Sequence, residues 1–452
     1  MKKCVVFFMI LTLVVCLFAG CQATPEKEVI ANKKEDYFEK DKVDSIEESQ
    51  NIIAEKNWSD TMEIGGVQIN IDASVEVANS GIYPVVRVRQ TGFDSKIVKD
   101  IIDFFAKDSI VYDNSDGDNY FTRELIEQIV IDEKQYRASL GDKFVESEGA
   151  PLQEFESQYE SLPSEKDIVR QEVDIANLNT MNSSVYFDTG KKYPARLSIV
   201  DERDDMNRAY IELNNYGFWG AYTNSHHQDT QPKGTTLTEA DAIKIGEAAL
   251  DEMGLDFMDV SDVQVSDRYT DLTNTTESDK QCYSIFFSRT IEEVKNPLIQ
   301  LYAWKNAGVE GGISDEYRNP WTPEYIWMDI DDTGILSFRW QNPVEIVEVE
   351  NKNVPVLTFE QAQKKFEEKM QLVLVNTKFF DEAASSEKTD SHEININKVV
   401  LGNQFVPVKD VPNEYRLMPC WIFFGTDTWF GEMSKKLPTS QLMLNAIDGE
   451  IL

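Results

Sequence analysis

The sequence predicts an α+β protein, and three observations lead to this fold class. Several segments alternate apolar and polar residues, which is typical of strands with one buried face. Other segments repeat apolar residues at intervals of three and four, which is typical of helices with a buried stripe. An imperfect internal repeat in the C-terminal half pairs such a helix with strands. We therefore expect a strand-rich N-terminal α+β domain, followed by two units in which a helix covers an antiparallel sheet.

The N-terminal domain is predicted to span residues 58–230. Five segments have the alternating pattern of strands: 64–77, 81–90, 183–188, 195–202 and 208–215. Between them, apolar spacing predicts one helix from Ser95 and a second after Thr122, which is a suitable N-cap residue. A polar segment with Pro and Gly at 224–236 marks the end of this domain.

The C-terminal half is organised by the repeat. LTEADAIK at 237–244 is echoed by LTFEQAQK at 357–364, and in each copy a threonine N-cap begins a helix. The strand segment QCYSIFFSR after the first helix matches PCWIFFGT after the second. We expect the first unit at 235–350 and the second at 355–452.

The two cysteines of these units, Cys282 and Cys420, lie at equivalent positions of the matching strand segments. Equivalent positions in separate units need not be close, and a disulfide requires Cα atoms within about 7 Å. The sequence leaves open both a pair of buried thiols and a bridge.

The first 20 residues predict a secretory signal peptide. Two lysines follow Met1, and mostly apolar residues then lead to Ala19-Gly20-Cys21. This end resembles the lipobox of bacterial lipoproteins, whose cysteine takes a diacylglycerol, although Phe18 stands where leucine is usual. We expect lipidation of Cys21 and attachment to the extracytoplasmic face of the cell membrane. The alternative is ordinary secretion with an incidental cysteine.

Residues 21–57 are predicted to be a charged, flexible tether. They mix both charge signs and contain few large apolar residues, so they bury too little surface to fold alone. Such a segment holds a folded body away from the membrane surface.

The net charge limits the partners of this protein. The chain has 80 acidic and 44 basic side chains, and its formal net charge is −36. Such a surface repels phosphate polyanions, which excludes nucleic acid as a partner, and it attracts cations or basic proteins.

The repeat segments resemble a PepSY-type domain, in LTEADAIKIGEAALDEMG with its following strands and in the Asp-Gly turn of NAIDGEIL. The order of lipobox, tether, N-terminal region and two such units is similar to a family of uncharacterised lipoproteins from Gram-positive bacteria. Inserted segments such as NAGVEGGISDEYRNPWTPE lengthen both copies beyond the compact PepSY spacing. The resemblance implies that the units restrain a peptidase or regulate another envelope protein, and it implies no catalytic residues.

Two segments have features of metal sites. Asp113 and Glu124 lie at positions one and twelve of an acidic loop, as the outer ligands of an EF-hand do, but Gly117 falls one position too early. We favour an acidic turn before a helix, with calcium binding as the alternative. His226 and His227 are adjacent, so on a strand they point to opposite faces, which favours a solvated linker over zinc. No metal or cofactor is expected.

Motifs of catalysis are few. Ser385 and Lys388 have the Ser-x-x-Lys spacing of some acyl-enzyme hydrolases, but no apolar helical face accompanies them to position the lysine. The chain has three histidines, so acid–base catalysis would rely on carboxylates, and the sequence singles out no pair. Trp219, bracketed by glycines beside the domain boundary, is the aromatic residue we most expect to be exposed to a ligand.

These observations favour a non-enzymatic lipoprotein that is attached to the membrane and binds or regulates another envelope protein. A lipoprotein that binds a solute, peptide or glycan is the alternative. A hydrolase that uses carboxylates ranks last.

Overall fold

A computed structural model describes the protein at residues 38, 40–52, 54–114, 121–140, 159–189, 194–203, 208–214, 226–227, 231–267, 281–297, 323–384, 393–411, 413–427 and 439–452. These residues form two β-sheets and several helices, which confirms the α+β class. The α-helices among them are α1 (Ser95–Ala106), α2 (Arg123–Leu140), α3 (Glu239–Glu252) and α4 (Phe359–Ala384). No described helix is both long and apolar enough to span a bilayer.

Sheet A contains seven of the described strands, numbered here in chain order. In spatial order they are β1 (Asn57–Ile64), β2 (Val67–Glu76), β14 (Glu393–Pro407), β15 (Glu414–Asp427), β3 (Val85–Gln90) and β13 (Val344–Asn351), with β16 (Thr439–Asn445) also paired to β15. β2 and β14 run parallel, and the other pairs are antiparallel.

Sheet B contains nine of the described strands, and all its pairs are antiparallel. In spatial order they are β4 (Val111–Asp113), β5 (Asn182–Phe187), β6 (Ala195–Glu202), β7 (Arg208–Asn214), β12 (Gly334–Gln341), β11 (Tyr325–Asp331), β10 (Gln281–Arg289), β9 (Met258–Asp267) and β8 (His226–His227).

The described residues of the region 58–230 form no sheet of their own, contrary to the sequence-based expectation. β1, β2 and β3 join sheet A beside strands that begin after residue 343, whereas β4 to β7 join sheet B beside β12. β13, from the first predicted unit (235–350), also lies in sheet A. The five strands predicted here are present as β2, β3, β5, β6 and β7, whereas β1 and β4 were not predicted. The alternating pattern carries no information about partners that lie hundreds of residues away.

Helix α4 covers one face of sheet A. Its buried residues recur at intervals of three and four: Phe359, Ala362, Phe366, Met370 and Leu374. Trp58 of β1 contacts Phe359 and Phe366 of this helix and Phe423 of β15, with ring centroids 5.7–6.2 Å apart. Trp58 therefore packs β1 against α4.

Helices α1 and α3 cover one face of sheet B. Val98, Ile101 and Ile102 of α1 share a buried cluster with Ala242 and Ala249 of α3 and with the inward side chains of the strands. Gly246 lets α3 approach the sheet closely, because a Cβ at this position would lie 2.5 Å from the Phe287 ring.

The predicted repeat has a counterpart in the order of elements. α3 is followed by β9, β10 and β11, and α4 is followed by β14, β15 and β16. In both sets the middle strand carries the cysteine and pairs with the other two. Cys282 and Cys420 are buried in different sheets and form no disulfide.

The predicted tether, 21–57, is folded onto the body from residue 38 onward among its described residues. Phe38 is 3% exposed, and the guanidinium of Arg416 lies 5.5 Å from its ring centre. The backbone N–H of Ile46 donates to Asn353 O at 2.9 Å. Composition did not reveal this contact, because a few apolar side chains suffice where the body supplies the opposing surface. Residues 21–37 lie outside the described residues.

The chain crosses from sheet B to sheet A at Asn342–Val344. Asn342 exchanges two hydrogen bonds with the backbone of Ala209, at 2.7 and 2.8 Å. Arg289 donates to both carboxylate oxygens of Glu324, at 2.6 and 3.0 Å, and the Glu324 side chain is fully buried. This ion pair binds both backbone groups of Val344: Glu324 accepts from its N–H at 3.3 Å, and Arg289 donates to its carbonyl at 3.1 Å.

Glu324→Gln is expected to lower the free energy of unfolding by about 3–5 kcal/mol, because it leaves the Arg289 charge buried without its carboxylate. Urea denaturation of the purified chain measures this loss. The double variant Arg289→Met/Glu324→Gln should lose less than the sum of the two single variants. Strictly additive losses would contradict the coupling of the two side chains.

Trp58→Ala is expected to lower the free energy of unfolding by about 3–5 kcal/mol, because the indole packs against rings from α4 and β15. Thr61→Ala, at an exposed position of the same strand, serves as the control and should change stability by less than about 0.5 kcal/mol. Equal effects of the two variants would show that β1 does not contribute to this core.

Candidate functional site

The exposed edge of β13 is the strongest candidate for a binding surface. β3 pairs with one side of β13, and no described residue pairs its backbone with the other side between residues 345 and 350. The outer side of an edge strand presents N–H and C=O groups to which another extended chain can pair. We call residues 345–350 the β13 edge.

One face of the β13 edge is apolar. Ile346 lies opposite Val88 and Val349 lies opposite Val86 in the strand register. Both therefore extend the buried cluster on this face, which contains Val86, Val88, Val344, Phe405, Tyr415 and Leu417. Ile346 and Val349 are each 51% exposed, so the apolar surface of the sheet continues into solvent at this edge.

The other face of the β13 edge is acidic. Glu345 lies opposite Arg89 and Glu348 opposite Arg87, and their side chains are 55% and 44% exposed. Arg87 and Arg89 both form ion pairs with Glu414 of β15, and Arg89 lies 3.6 Å from Glu345. The two outermost carboxylates thus lie at the rim of an ion-pair network and remain open to solvent on one side.

The N-terminal segment borders this same edge. Lys40 forms an ion pair with Glu348, and this contact lowers the pKa of the Glu348 carboxyl. Ser45 donates to Asn351 Oδ1 at 2.7 Å, at the end of β13. Phe38 lies over Arg416, whose guanidinium is held by the buried carboxylate of Glu350. The segment that follows the predicted lipid anchor therefore meets the body at the β13 edge.

A second candidate is a buried polar cluster on the face of sheet B away from α1 and α3. Asp329 of β11 is 2% exposed. Its carboxylate accepts hydrogen bonds from Ser284 Oγ, Ser337 Oγ and Trp327 Nε1 at 2.5, 2.6 and 3.0 Å. Ser284 Oγ also lies 2.8 Å from Ser266 Oγ. Because a hydroxyl has one proton, Ser266 donates to Ser284, which donates to Asp329.

Burial raises the pKa of Asp329 to about 6, and the three hydrogen bonds lower it by less. The partners of this carboxyl among the described residues are hydroxyls and an indole, with no second carboxylate or histidine in hydrogen-bond contact. The cluster can take up or release a proton near pH 6, but it does not present the carboxylate pair that acid–base hydrolysis requires.

Asp113 and Glu124 are the two residues of the calcium alternative, and their contacts in the structure are as follows. Asp113 lies in β4, whose partner is β5. Glu124 lies in the first turn of α2, and its carboxylate accepts from Ser164 Oγ at 2.5 Å and from the backbone N–H of Glu165 at 2.8 Å. These contacts lower the pKa of Glu124. Gly117 lies outside the described residues. Thr122 caps α2, as predicted, by accepting from the Leu125 N–H at 3.0 Å.

The remaining predicted site residues are only partly described. His226 and His227 form β8 and pair with β9. Outside the described residues lie Cys21, Trp219, Ser385 and Lys388. No group of three His, Cys, Asp or Glu side chains with metal-binding geometry occurs in the part of the chain that the structure describes.

Sequence reasoning missed both the β13 edge and Asp329. The segment VEIVEVE at 344–350 alternates apolar and acidic residues except at the adjacent Ile346 and Val347, and such alternation is a strand signal. That pattern is the same for an edge strand and an inner strand, so the exposure of its outer side could not be read from it. In YIWMDID, Asp329 interrupts an apolar strand, which was a readable sign of a buried polar site.

Comparison with known proteins does not identify a family. No family model and no curated protein matches the chain. An uncharacterized protein from Eubacterium rectale ATCC 33656 has 10% identity over 88% of this chain and 93% of its own, with a TM-score of 0.45. YycH from Bacillus subtilis has 9% identity over 76% of this chain and 93% of its own, with a TM-score of 0.14. Both TM-scores are below 0.5, so neither likeness carries an argument about this protein.

Asp329→Asn is expected to remove a pH dependence of stability. The native pKa of about 6 lies above the ordinary value of 3.8, so the folded protein binds this proton more tightly than the unfolded chain. The contribution of Asp329 to the free energy of unfolding therefore falls as pH rises from about 4 to about 6, by about 3 kcal/mol.

Urea denaturation between pH 4 and 7 measures this effect as the difference between the native chain and the Asp329→Asn variant. The side-chain amide of the variant retains an acceptor oxygen for Ser284 and Trp327, and its NH₂ group can donate to the Ser337 hydroxyl. Asp60→Asn, at an exposed position of β1, is the control. A difference that does not change with pH would contradict the raised pKa.

Proposed function

We propose that this protein is a lipoprotein attached to the extracytoplasmic face of the membrane, where it binds and regulates another envelope protein without catalysing a reaction. The observation that carries the proposal is the β13 edge, which combines an outer backbone that pairs with no described residue, an exposed apolar strip and half-exposed carboxylates. Extended segments of partner proteins commonly bind by adding a strand to such an edge.

The position of the edge supports a partner near the membrane. The chain from Cys21 to Phe38 spans at most about 60 Å when fully extended, and Phe38 and Lys40 contact residues beside the β13 edge. With Cys21 acylated, the edge would be held within that distance of the bilayer. A membrane protein of the same cell would then meet it at a high effective concentration.

The order of elements supports the PepSY-like interpretation of the C-terminal units. A helix followed by three antiparallel strands occurs twice. In each copy a threonine, Thr238 or Thr358, caps the start of the helix. By that resemblance the units would restrain or regulate a partner. The hydrolase ranks below this proposal, because Asp329, whose pKa burial raises to about 6, is buried among hydroxyls.

Crosslinking on intact cells tests the proposal. The native chain should capture one envelope protein that a Cys21→Ala chain, expressed to the same level, captures much less. The cause is the loss of effective concentration when the anchor is removed. Capture of no specific protein by either form would overturn the regulator proposal, and a thermal-shift screen with glycans and peptides would then test the ligand-binding alternative.

A further inference from the structure

We propose that the β13 edge takes up one kind of partner segment: an extended chain in which aliphatic residues alternate with Lys or Arg, added to sheet A as a further strand. This inference rests on the proposed function and names the partner class for the same surface. It follows from three properties of residues 345–350: the free side of the strand, the division of its side chains between two faces, and the sign of their charge.

The backbone of the β13 edge supplies the pairing surface. Its outer side has no described backbone partner from residue 345 to residue 350. The nearest described backbone contact is the N–H of Ile46, which donates to Asn353 O beyond the end of the strand. A segment of about six residues can therefore pair along the edge without displacing the N-terminal segment, whose contacts lie at the end of β13 and at the Glu348 side chain.

The side chains select an alternating sequence. Residues directly opposite each other on adjacent strands lie on the same face of the sheet. Aliphatic side chains of an added strand would cover Ile346 and Val349, which are each half exposed. Every second residue would then lie on the other face, beside Glu345 and Glu348. The register shifts between Ile346 and Glu348, so the paired residues of the edge lie three positions apart, whereas β3 opposite them alternates strictly between valine and arginine. An added strand in the same register would alternate in the same way.

The charge of that second face selects basic residues. Glu345 lies 3.6 Å from Arg89 and Glu348 is paired with Lys40, but both carboxylates are still half exposed at the rim of the ion-pair network. A Lys or Arg on the added strand would share them and continue the alternation of charges across the sheet. The net charge of −36 attracts a basic segment from a distance as well.

A second copy of this chain is a poorer occupant of the same edge. Pairing β13 with another β13 so that the apolar faces coincide would place Glu345 and Glu348 of one copy beside those of the other, and like charges on opposed strands destabilise a sheet. Two bulges, after Ile346 and after Val349, also distort the edge. Bulges and charges on an edge strand resist indiscriminate pairing.

Peptide binding tests the inference with the purified Cys21→Ala chain. The probes are three labelled peptides of eight residues, the length of β13: one alternating Val and Lys, one with the same composition in two blocks, and one alternating Val and Glu. Fluorescence anisotropy should show the alternating basic peptide binding at least about tenfold more tightly than either of the others. Hydrogen exchange should show new protection at residues 345–350.

Charge reversal at the β13 edge tests the charge preference, and the same reversal on β1 is the matched control. Glu345→Lys/Glu348→Lys should exchange the preference, so that the alternating acidic peptide binds more tightly than the basic one. Asp60→Lys/Glu63→Lys makes the same charge change on β1, the opposite edge of sheet A, and should leave the preference unchanged. Equal binding of the block and alternating peptides, or equal effects of the two double variants, would overturn the inference in favour of non-specific charge attraction.

A photo-crosslinking residue at Val347 separates failure of the inference from failure of the proposed function. Capture in cells from position 347, but not from Thr61 of β1, supports the inference when the captured segment alternates aliphatic and basic residues. Capture from other surfaces and not from position 347 overturns the inference and leaves the regulator proposal standing. Absence of capture from every position of the anchored chain overturns both.

Discussion

The buried ion pair between Arg289 and Glu324 is the contact on which the arrangement of the two sheets depends. It forms at the end of β10 and the start of β11 in sheet B, yet it binds the N–H and the carbonyl of Val344, the first residue of β13 in sheet A. A buried charge pair is stable only when its remaining hydrogen-bonding groups are satisfied. Here the backbone of the crossing chain and the Trp340 indole satisfy them, so the pair and the crossing stabilise each other.

Sheet A, which the chain enters at this crossing, combines strands from distant parts of the sequence. Its strands come from the beginning, the middle and the end of the chain, and Asn353, just after β13, connects these parts. The Asn353 amide donates to Glu48 O at 2.9 Å and accepts from the Tyr83 N–H at 2.9 Å and from Gln50 at 3.0 Å. Because each contact is buried or partly buried, the segment after the predicted anchor is part of the fold. The described start of the N-terminal segment, at Phe38 and Lys40, and the β13 edge therefore have a fixed relation.

Burial assigns different roles to the acidic residues of this very acidic chain. Glu324 is buried with a cationic partner and acts in structure, whereas Asp329 is buried with hydroxyls and an indole, which raises its pKa to about 6. Glu345 and Glu348 are half exposed at a strand edge, where the carboxylate keeps its hydration on one side and can still pair with an incoming cation. Composition does not distinguish these cases, because the role is set by what surrounds each carboxyl.

The sequence by itself determined the local elements. Alternation located β2, β3, β5, β6 and β7, although it was not used to predict β1, β13 or β14. Apolar spacing located α1, α3 and α4, and Thr122, Thr238 and Thr358 were correctly identified as helix caps, because these signals depend on residues a few positions apart. Only the tertiary structure decided which strands share a sheet, that Phe38 belongs to the folded body, and that β13 lies at an edge. Those outcomes depend on contacts between residues 306 positions apart and more, and a one-dimensional pattern of polarity is the same for any partner that buries the same face.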